Sequence, residues 1–134
     1  MVRPFDVMVA GHLCFDLIPS FSQSNVSRIE ELLRPGKLIE VGASGMSTGG
    51  PVSNTGIALQ KLGLKVRFSA RIGDDDFGQL TVKYLTKRGN PEGIRKVKGG
   101  VSSYTIVIAV PGIDRIFLHN PGTNDQYCAE DLDP

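Results

Sequence analysis

Residues 49–63 read GGPVSNTGIALQKLG, and their pattern predicts a helix with both ends marked. Apolar side chains recur at helical spacing over Val52–Leu62, as they do on an amphipathic helix. Pro51 suits the first turn, because a residue there has no hydrogen bond to lose, and Gly63 stands where a C-terminal cap is expected. The helix is therefore predicted to start directly after a pair of glycines.

Strands are predicted on both sides of this helix. Phe5–Ala10 is a short apolar run, and Val66–Ile72 alternates polar and apolar residues. A second helix is predicted to begin at Asp74–Asp76, whose carboxylates can cap it, and to end at Gly89. This order of strand, helix, strand and helix predicts an α/β fold with a parallel sheet.

The second half of the chain is richer in strand-forming residues. Val101–Val110 and Arg115–His119 flank the turn-forming segment Pro111–Asp114, which predicts a β-hairpin. Three smaller elements are also predicted: one or two helical turns at Ile29–Leu33, a half-exposed strand at Lys37–Val41, and the start of another helix or a linker at Ala129–Pro134.

The composition excludes several classes of protein. A length of 134 residues suits one domain, and a formal charge of +1 provides no field to attract nucleic acid or an anionic membrane. No apolar run approaches the length of about 18 residues that a membrane helix needs. The N-terminus does not resemble a secretory signal, and Cys14 and Cys128 lack the spacing of a disulfide framework or zinc site. We therefore expect a cytoplasmic protein with two reduced thiols and with neither a nucleic-acid nor a membrane partner.

The glycine-rich segment Gly42–Gly56 is the strongest candidate for a ligand site, since glycine lets a backbone approach a ligand closely. It fits neither the Walker pattern nor the dinucleotide pattern G-x-G-x-x-G. Asn54 offers a donor and an acceptor that suit paired sugar hydroxyls, and it suits a capping role equally well. Asp16 follows the first strand, where α/β sheets gather ligand groups; an exposed loop aspartate is the alternative. His12 and His119 are too isolated in sequence to predict a metal site, so each is interpreted as a core or surface histidine.

A serine hydrolase is a remote alternative, because Gly45–Gly49 fits the pattern Gly-x-Ser-x-Gly with Ser47 as the nucleophile. That pattern requires a helix to begin directly after the serine. A helix starting there would contain Gly49, Gly50 and Pro51, and glycine and proline inside a helix cost about 1 and 3 kcal/mol each. Ser47 is therefore better interpreted as a hydroxyl on a loop.

Several motifs in order resemble the N-terminal signature of the ribokinase-like carbohydrate kinases. That signature is a glycine pair, an asparagine four residues on, a helix closed by Leu-Gly, and Gly-x-Asp-x-x-Gly after the next strand. The segments that match it here are Gly49–Ala58, Leu62–Gly63 and Ile72–Gly78. Two further segments, Val9–Asp16 and Tyr104–Asn124, are similar to the family's first strand and to the strands of its sugar-covering lid.

The resemblance implies a fold and a set of site residues. Residues 1–134 would form the N-terminal part of a ribokinase-like doubly wound α/β sheet with a small β lid, whose strands lie at approximately 12–18, 37–48 and 101–119. The counterparts of Gly73, Asp75 and Gly78 are mainly structural in this family. The residues implied to bind the sugar are Asp16, Gly49, Gly50 and Asn54, with Tyr104 and Ile106 closing over it from the lid. Pro51, which follows the glycine pair, departs from relatives and leaves the preferred sugar open.

The resemblance also implies an activity, namely transfer of the γ-phosphoryl group of ATP, with Mg²⁺, to a sugar hydroxyl. Family members are longer, and their C-terminal half carries a Gly-Ala-Gly-Asp motif with the catalytic base and most of the nucleotide site. That motif does not occur here, so the base is expected beyond Pro134 and this chain alone is expected to bind neither ATP nor Mg²⁺ and to be inactive. A homodimer through the lid strands remains open. The alternative function is a non-catalytic sugar-binding or assembly module.

Overall fold

A computed structural model describes residues 4–22, 24–88 and 90–132 of the chain. The strands, in chain order, are β1 (Val7–Ala10), β2 (Cys14–Ser20), β3 (Gly42–Gly49), β4 (Val66–Gly73), β5 (Ile94–Val97), β6 (Tyr104–Ile108) and β7 (Ile116–Asn120). The helices are α1 (Ile29–Leu32), α2 (Gly50–Lys61) and α3 (Asp76–Thr86), and two 3-10 turns follow at Gly122–Gln126 and Ala129–Asp131.

The main sheet has the order β1–β4–β5, and both of its strand pairs are parallel. This confirms the parallel α/β sheet that the order of elements predicted. Its core is a cluster of fully buried apolar side chains, in which Val52 of α2 and Leu85 of α3 pack with Phe68 and Ile72 of β4. β1 and β5 are the edge strands of this sheet.

A second, mixed sheet has the order β3–β2–β6–β7, and we call it the lid sheet. β2 pairs antiparallel with β3 and parallel with β6, and β6 and β7 form the predicted antiparallel hairpin. Aromatic rings hold this sheet against α3. Phe15 lies 5.4 Å from Tyr84, and Tyr104 stacks on Phe77 with their ring centroids 4.7 Å apart.

Both ends of α2 carry the residues that the sequence predicted for them. Pro51 lies in its first turn, and the helix begins at Gly50, directly after the N-cap residue Gly49. At the other end Gly63 has a φ of +90°, a conformation that favours glycine. The Gly63 N–H donates to the carbonyl of Gln60 at 2.9 Å and the next N–H to that of Leu59 at 3.2 Å. These two bonds form the Schellman motif that a terminal glycine permits.

Asp75 caps α3 and also ties it to the approach to β6. One carboxylate oxygen accepts from the N–H of Gly78 at 2.9 Å and the other from the N–H of Ser102 at 2.9 Å. Burial opposes the charged form, but the hydrogen bonds from Ser102 and Gly78 prevail and hold the pKa of Asp75 below its ordinary value. Gly73 donates its N–H to the Ser102 hydroxyl at 2.8 Å, which supports the structural role expected for this motif.

The predicted bounds of a strand and of a helix differ from the structure. The strand predicted at Lys37–Val41 is wrong, because pairing in the lid sheet starts at Gly42, opposite Ser20, and Leu38 is 88% exposed. Helix α3 ends at Thr86, earlier than predicted, and the expected stop at Gly89 lies outside the described residues.

The end of the described chain is fastened over β4 and β5. Asp131, with only 1% of its side chain exposed, forms ion pairs with Arg71 at 2.7 Å and with Arg95 at 2.9 Å. The predicted start of a helix at Ala129 is a short 3-10 turn, and the last two residues fall outside the described part. Within the residues described, we find no helix of sufficient length and apolarity to cross a membrane.

Candidate functional site

The register of the strands in the lid sheet lines up polar side chains in one row across the sheet and apolar side chains in another. Asp16 of β2 stands opposite Ser47 of β3 and Thr105 of β6, and Thr105 stands opposite His119 of β7. Residues opposite each other on paired strands share a face, so these four side chains lie in one line across all four strands. We call Ser47, Asp16, Thr105 and His119 the polar row.

Asp16 lies directly over Gly49, the last residue of β3. A Cβ atom on Gly49 would overlap the carboxylate of Asp16, with the carboxyl carbon only 2.9 Å away. A side chain at this position would therefore displace the carboxylate. Glycine is therefore required at position 49 by the close approach of the Asp16 carboxylate.

Cys14 holds the Asp16 carboxylate in place from the same face. Its thiol donates to Asp16 Oδ1 at 3.1 Å and accepts from the hydroxyl of Thr105 at 3.8 Å. Burial, and then the hydrogen bond to Asp16, raise the pKa of Cys14 to about 12. The thiol is therefore protonated at neutral pH and remains a donor to the carboxylate.

Two histidines complete the surroundings of Asp16. The ring of His12 packs over Gly50, where a Cβ atom would lie 2.6 Å from the His12 carbonyl oxygen and 2.8 Å from the ring. His119 shares a hydrogen bond of 2.9 Å between its Nδ1 and the Thr105 hydroxyl, and its ring centroid lies 5.2 Å from that of His12. Burial, and then His119, lower the pKa of His12, whereas Asp16 and Asp125 act in the opposite direction.

Asn54 lies one turn into α2, beside the free edge of β3. It is exposed and lines a cleft of about 270 Å³ together with Ser47, Lys61 and Arg88. Its amide makes no hydrogen bond to any residue that the structure describes, so it does not act as a helix cap. Asn54 is thus near the end of the polar row that Ser47 occupies.

Tyr104 and Ile106 lie on the opposite face of the lid sheet from Asp16. Ile106 belongs to an apolar row formed, in the same way, by Met46, Leu17, Ile106 and Leu118. Tyr104 is occupied by its stack on Phe77. The structure therefore brings Asp16, Gly49 and Gly50 together as the sequence predicted, but it does not bring Tyr104 or Ile106 to them.

Sequence reasoning missed four residues that surround Asp16: His12, Cys14, Thr105 and His119. Thr105 lies in β6 between the two predicted positions, Tyr104 and Ile106. Because side chains alternate along a strand, Thr105 lies on the opposite face of the sheet from both of them. Both faces of β6 carry apolar side chains, so alternation in the sequence does not reveal which face is turned to the site. The two histidines are far apart in the chain and meet only in the folded molecule.

Ser47 does not have the surroundings of a hydrolase nucleophile. It lies within β3, and its hydroxyl donates to the carbonyl of Thr48 at 3.2 Å. His119 is bonded to Thr105, and two strands separate it from Ser47 in the lid sheet. The helix that should follow the serine at once begins only at Gly50.

The described residues show neither a metal-binding cluster nor a phosphate-binding loop. They contain no group of three or more His, Cys, Asp or Glu side chains that could hold a metal ion. The segment Gly42–Gly49 is a strand rather than a phosphate-binding loop, and the N–H of Val52 in the first turn of α2 already donates to the His12 carbonyl at 3.1 Å.

Comparison with known protein sequences identifies the family that the sequence motifs resemble. The family model described as pfkB family carbohydrate kinase matches residues 5–133. A 5-dehydro-2-deoxygluconokinase of Clostridium perfringens is 29% identical over 98% of this chain and 36% of its own length. A probable fructokinase-3 of Arabidopsis thaliana is 26% identical over 85% of this chain and 30% of its own length. The chain thus spans about a third of the length of these curated relatives.

Solved structures show the ribokinase fold. An Arabidopsis thaliana ribokinase complexed with ribose and ATP has a TM-score of 0.70 and 20% identity, over 90% of this chain and 37% of that one. A putative sugar kinase from Clostridium perfringens has a TM-score of 0.72 and 17% identity, over 96% of this chain and 38% of that one.

Proposed function

The chain belongs to the pfkB family of carbohydrate kinases, and from this premise we propose that it forms the substrate-binding N-terminal part of a sugar kinase. The reaction of the whole protein is transfer of the γ-phosphoryl group of ATP to a hydroxyl of the substrate. The named relatives are a 5-dehydro-2-deoxygluconokinase and fructokinases, so the substrate is a sugar or a sugar acid.

The observation that carries this proposal is the position of the Asp16 carboxylate over Gly49 and beside Gly50. An ionised carboxylate has two oxygens that accept hydrogen bonds, so it can receive the O–H groups of two neighbouring sugar hydroxyls. The absence of side chains at both glycines lets Asp16 and His12 lie directly against the backbone there. Asn54 supports the proposal from the edge of β3, since its amide is exposed and unbonded within the described residues.

The strand register changes which lid residues we expect to cover the sugar. We propose that Thr105 and Val107 take the role expected from sequence for Tyr104 and Ile106, because alternate residues of β6 face the side of Asp16. Closing the lid over the sugar excludes water, which otherwise competes as phosphoryl acceptor.

ATP and Mg²⁺ are proposed as the co-substrate and metal of the whole protein. This rests on the family alone, because the described residues offer neither a metal cluster nor a phosphate-binding loop.

A homodimer through the lid is proposed from the apolar row. Leu118 and Met46 are 51% and 43% exposed, and they stand in line with Leu17 and Ile106 on the face of the sheet opposite Asp16. A second copy of this chain presents the same row, and pairing two copies face to face buries both. The partner that fits is thus the chain itself.

A coupled nucleotide-consumption assay on the complete gene product tests the function. We expect sugar-dependent ADP formation with at least one of ribose, fructose, 5-dehydro-2-deoxygluconate and nucleosides, and its loss in Asp16→Asn. No turnover with any of them contradicts the kinase assignment. Tight sugar binding without turnover favours the non-catalytic module instead.

A further inference from the structure

The described chain passes at four places between the lid sheet and the main sheet with its helices. These crossings are residues 11–13, 49–50, 98–103 and 121–124. Backbone hydrogen bonds join them in pairs. The N–H of Val52, just after the second crossing, donates to the His12 carbonyl of the first at 3.1 Å, and the N–H of Thr123 in the fourth donates to the Val101 carbonyl of the third at 2.8 Å.

Asn124 connects the first of these pairs to the second. Its Oδ1 accepts from the N–H of Leu13 at 3.1 Å, and its Nδ2 donates to the Leu13 carbonyl at 2.9 Å. Nδ2 also donates to the carbonyl of Pro121 at 3.1 Å, which fixes the orientation of the amide. A side-chain amide that pairs with both the N–H and the C=O of one residue takes the place of a neighbouring strand at that point.

Leu13 depends on this amide for the hydrogen bonds of its backbone. Its side chain packs in the core of the main sheet and the residue is 1% exposed, so its N–H and carbonyl have little access to water. Neither group makes another hydrogen bond to a residue that the structure describes. Because buried backbone groups without partners are strongly disfavoured, the segment before β2 has to shift when Asn124 is replaced by a side chain without an amide.

A shift of this segment reaches Asp16, which is the third residue of β2. The start of β2 is held by Asn124 and also by Ser103, whose carbonyl accepts from the N–H of Phe15 at 3.1 Å. The Asp16 carboxylate in turn lies so close to Gly49 that a Cβ atom there would overlap it. Even a small displacement of β2 therefore changes where the carboxylate stands relative to the glycine pair.

We infer that Asn124 is a positioning residue of the sugar site, because its amide fixes the segment between the two sheets and thereby places the Asp16 carboxylate. This inference rests on the proposed function, in which Asp16 accepts hydrogen bonds from sugar hydroxyls. Within the part of the chain that the structure describes, Asn124 makes no hydrogen bond with Asp16, so it acts through the main chain of residues 13–16. Its replacement should weaken binding of the sugar without an equal effect on ATP.

The test measures the KM for sugar and the KM for ATP in the complete gene product, with ribose, fructose, 5-dehydro-2-deoxygluconate and inosine as substrates. In Asn124→Ala the KM for a substrate that is turned over should rise about tenfold or more, since displacement of a positioning group has effects of that order. The KM for ATP should stay within about twofold of wild type. This split between the two constants distinguishes a displaced Asp16 from general damage to the fold.

Asn124→Asp is a second variant that decides the matter where the alanine variant does not fold. The carboxylate keeps the shape of the side chain and the acceptor for the Leu13 N–H, but it has no N–H to donate to the Leu13 carbonyl. The KM for sugar should rise about threefold or more, because one of the two bonds to Leu13 is lost. Circular dichroism establishes that the variant is folded.

Asn120→Ala is the matched control. Asn120 Oδ1 accepts from the N–H of Gly122 at 2.8 Å, so this bond is local to the end of β7 and does not reach the segment before β2. The KM for sugar in this variant should stay within about twofold of wild type.

The outcomes separate this inference from the function on which it rests. An unchanged KM for sugar in the folded Asn124 variants overturns the inference while the proposed function stands. An equal rise in Asn120→Ala, or an equal rise in the KM for ATP, also overturns it, because the effect would then not pass through Asp16. No turnover of any of these substrates by the wild-type protein overturns the inference together with the proposed function.

Discussion

Gly49 has no side chain, and this allows the Asp16 carboxylate to lie against its backbone. Gly49→Ala should move the Asp16 carboxylate, because the new Cβ would overlap it. We predict that sugar binding weakens about tenfold or more, since displacement of a positioning group by an ångström has effects of that order. Calorimetric titration with sugar measures the loss.

Gly45→Ala is the matched control for this prediction. It lies in the same strand, and its Cβ would meet Ile18 at an ordinary contact distance of 3.6 Å. We expect its sugar affinity to stay within about twofold of wild type. If both variants bind sugar equally well, the close approach of Asp16 to Gly49 does not matter for binding.

Cys14 makes a prediction about stability at high pH. Its pKa is raised to about 12 in the folded chain against 9.0 for a free thiol, so the unfolded state loses the proton first. The free energy of unfolding should therefore fall as the pH rises from 9.0 towards about 12, by up to about 1.4 kcal/mol per pH unit. Urea unfolding of wild type and Cys14→Ser, compared across this range, isolates the contribution of the thiol. Parallel curves for the two proteins would rule out the raised pKa.

At the scale of elements, the Asp75 cap joins α3 to β6. Asp75→Ala removes the acceptor for the N–H groups of Gly78 and Ser102, and we predict a loss of about 1–2 kcal/mol in the free energy of unfolding. Because the pKa of Asp75 is lowered on folding, this stabilisation is present at neutral pH and is lost as the pH falls below about 4. Chemical unfolding at pH 7 and in acid measures both effects.

Asp76→Ala serves as the control for the cap, since Asp76 is exposed and begins the same helix. Its loss should change the free energy of unfolding by less than about 0.5 kcal/mol. Equal losses in the two variants would show that helix-dipole charge, rather than the Asp75 hydrogen bonds, stabilises α3.

Local signals in the sequence predicted the main elements. The capped helix after the glycine pair, the second helix, the parallel strands and the β6–β7 hairpin all depend on nearby residues, and each is found in the structure. Pairing between distant segments was not predictable in the same way. The residues at Lys37–Val41 alternate like a strand, but an alternating segment becomes a strand only when a neighbour is available to pair with it.

The same limit explains which residues of the candidate site could be placed together from the sequence and which could not. The proximity of Asp16 to Gly49 and Gly50 could be expected because these residues carry a recognisable pattern in the chain. Tyr104 and Ile106 were expected on the side of Asp16, and a shift of one residue in a strand moves a side chain to the other face. Only the strand register, in which Asp16 lies opposite Thr105, decides which residues of β6 share a face with Asp16.

At the scale of the whole molecule, the apolar row on one face of the lid sheet predicts that two copies of the chain associate through this sheet. Leu118→Asp places a charge in the apolar row and should weaken a lid-to-lid dimer about tenfold or more, because losing one well-buried apolar anchor has effects of that size. Sedimentation equilibrium measures the dissociation constant. Leu38→Asp is the control, since Leu38 is 88% exposed and lies outside the lid strands. A chain that is monomeric at all concentrations, or equal effects of the two variants, would contradict this interface.

At the scale of the whole molecule, we propose that a sugar binds where the lid sheet meets the main sheet, at Asp16 over the glycine pair. The most direct test is calorimetric titration of the chain with D-gluconate and D-fructose, for wild type, Asp16→Asn and Asp114→Asn. Asp114 is an exposed aspartate in the turn between β6 and β7. The account predicts weak binding of at least one sugar that persists in Asp114→Asn and disappears in Asp16→Asn. Sugar binding that survives Asp16→Asn would contradict it.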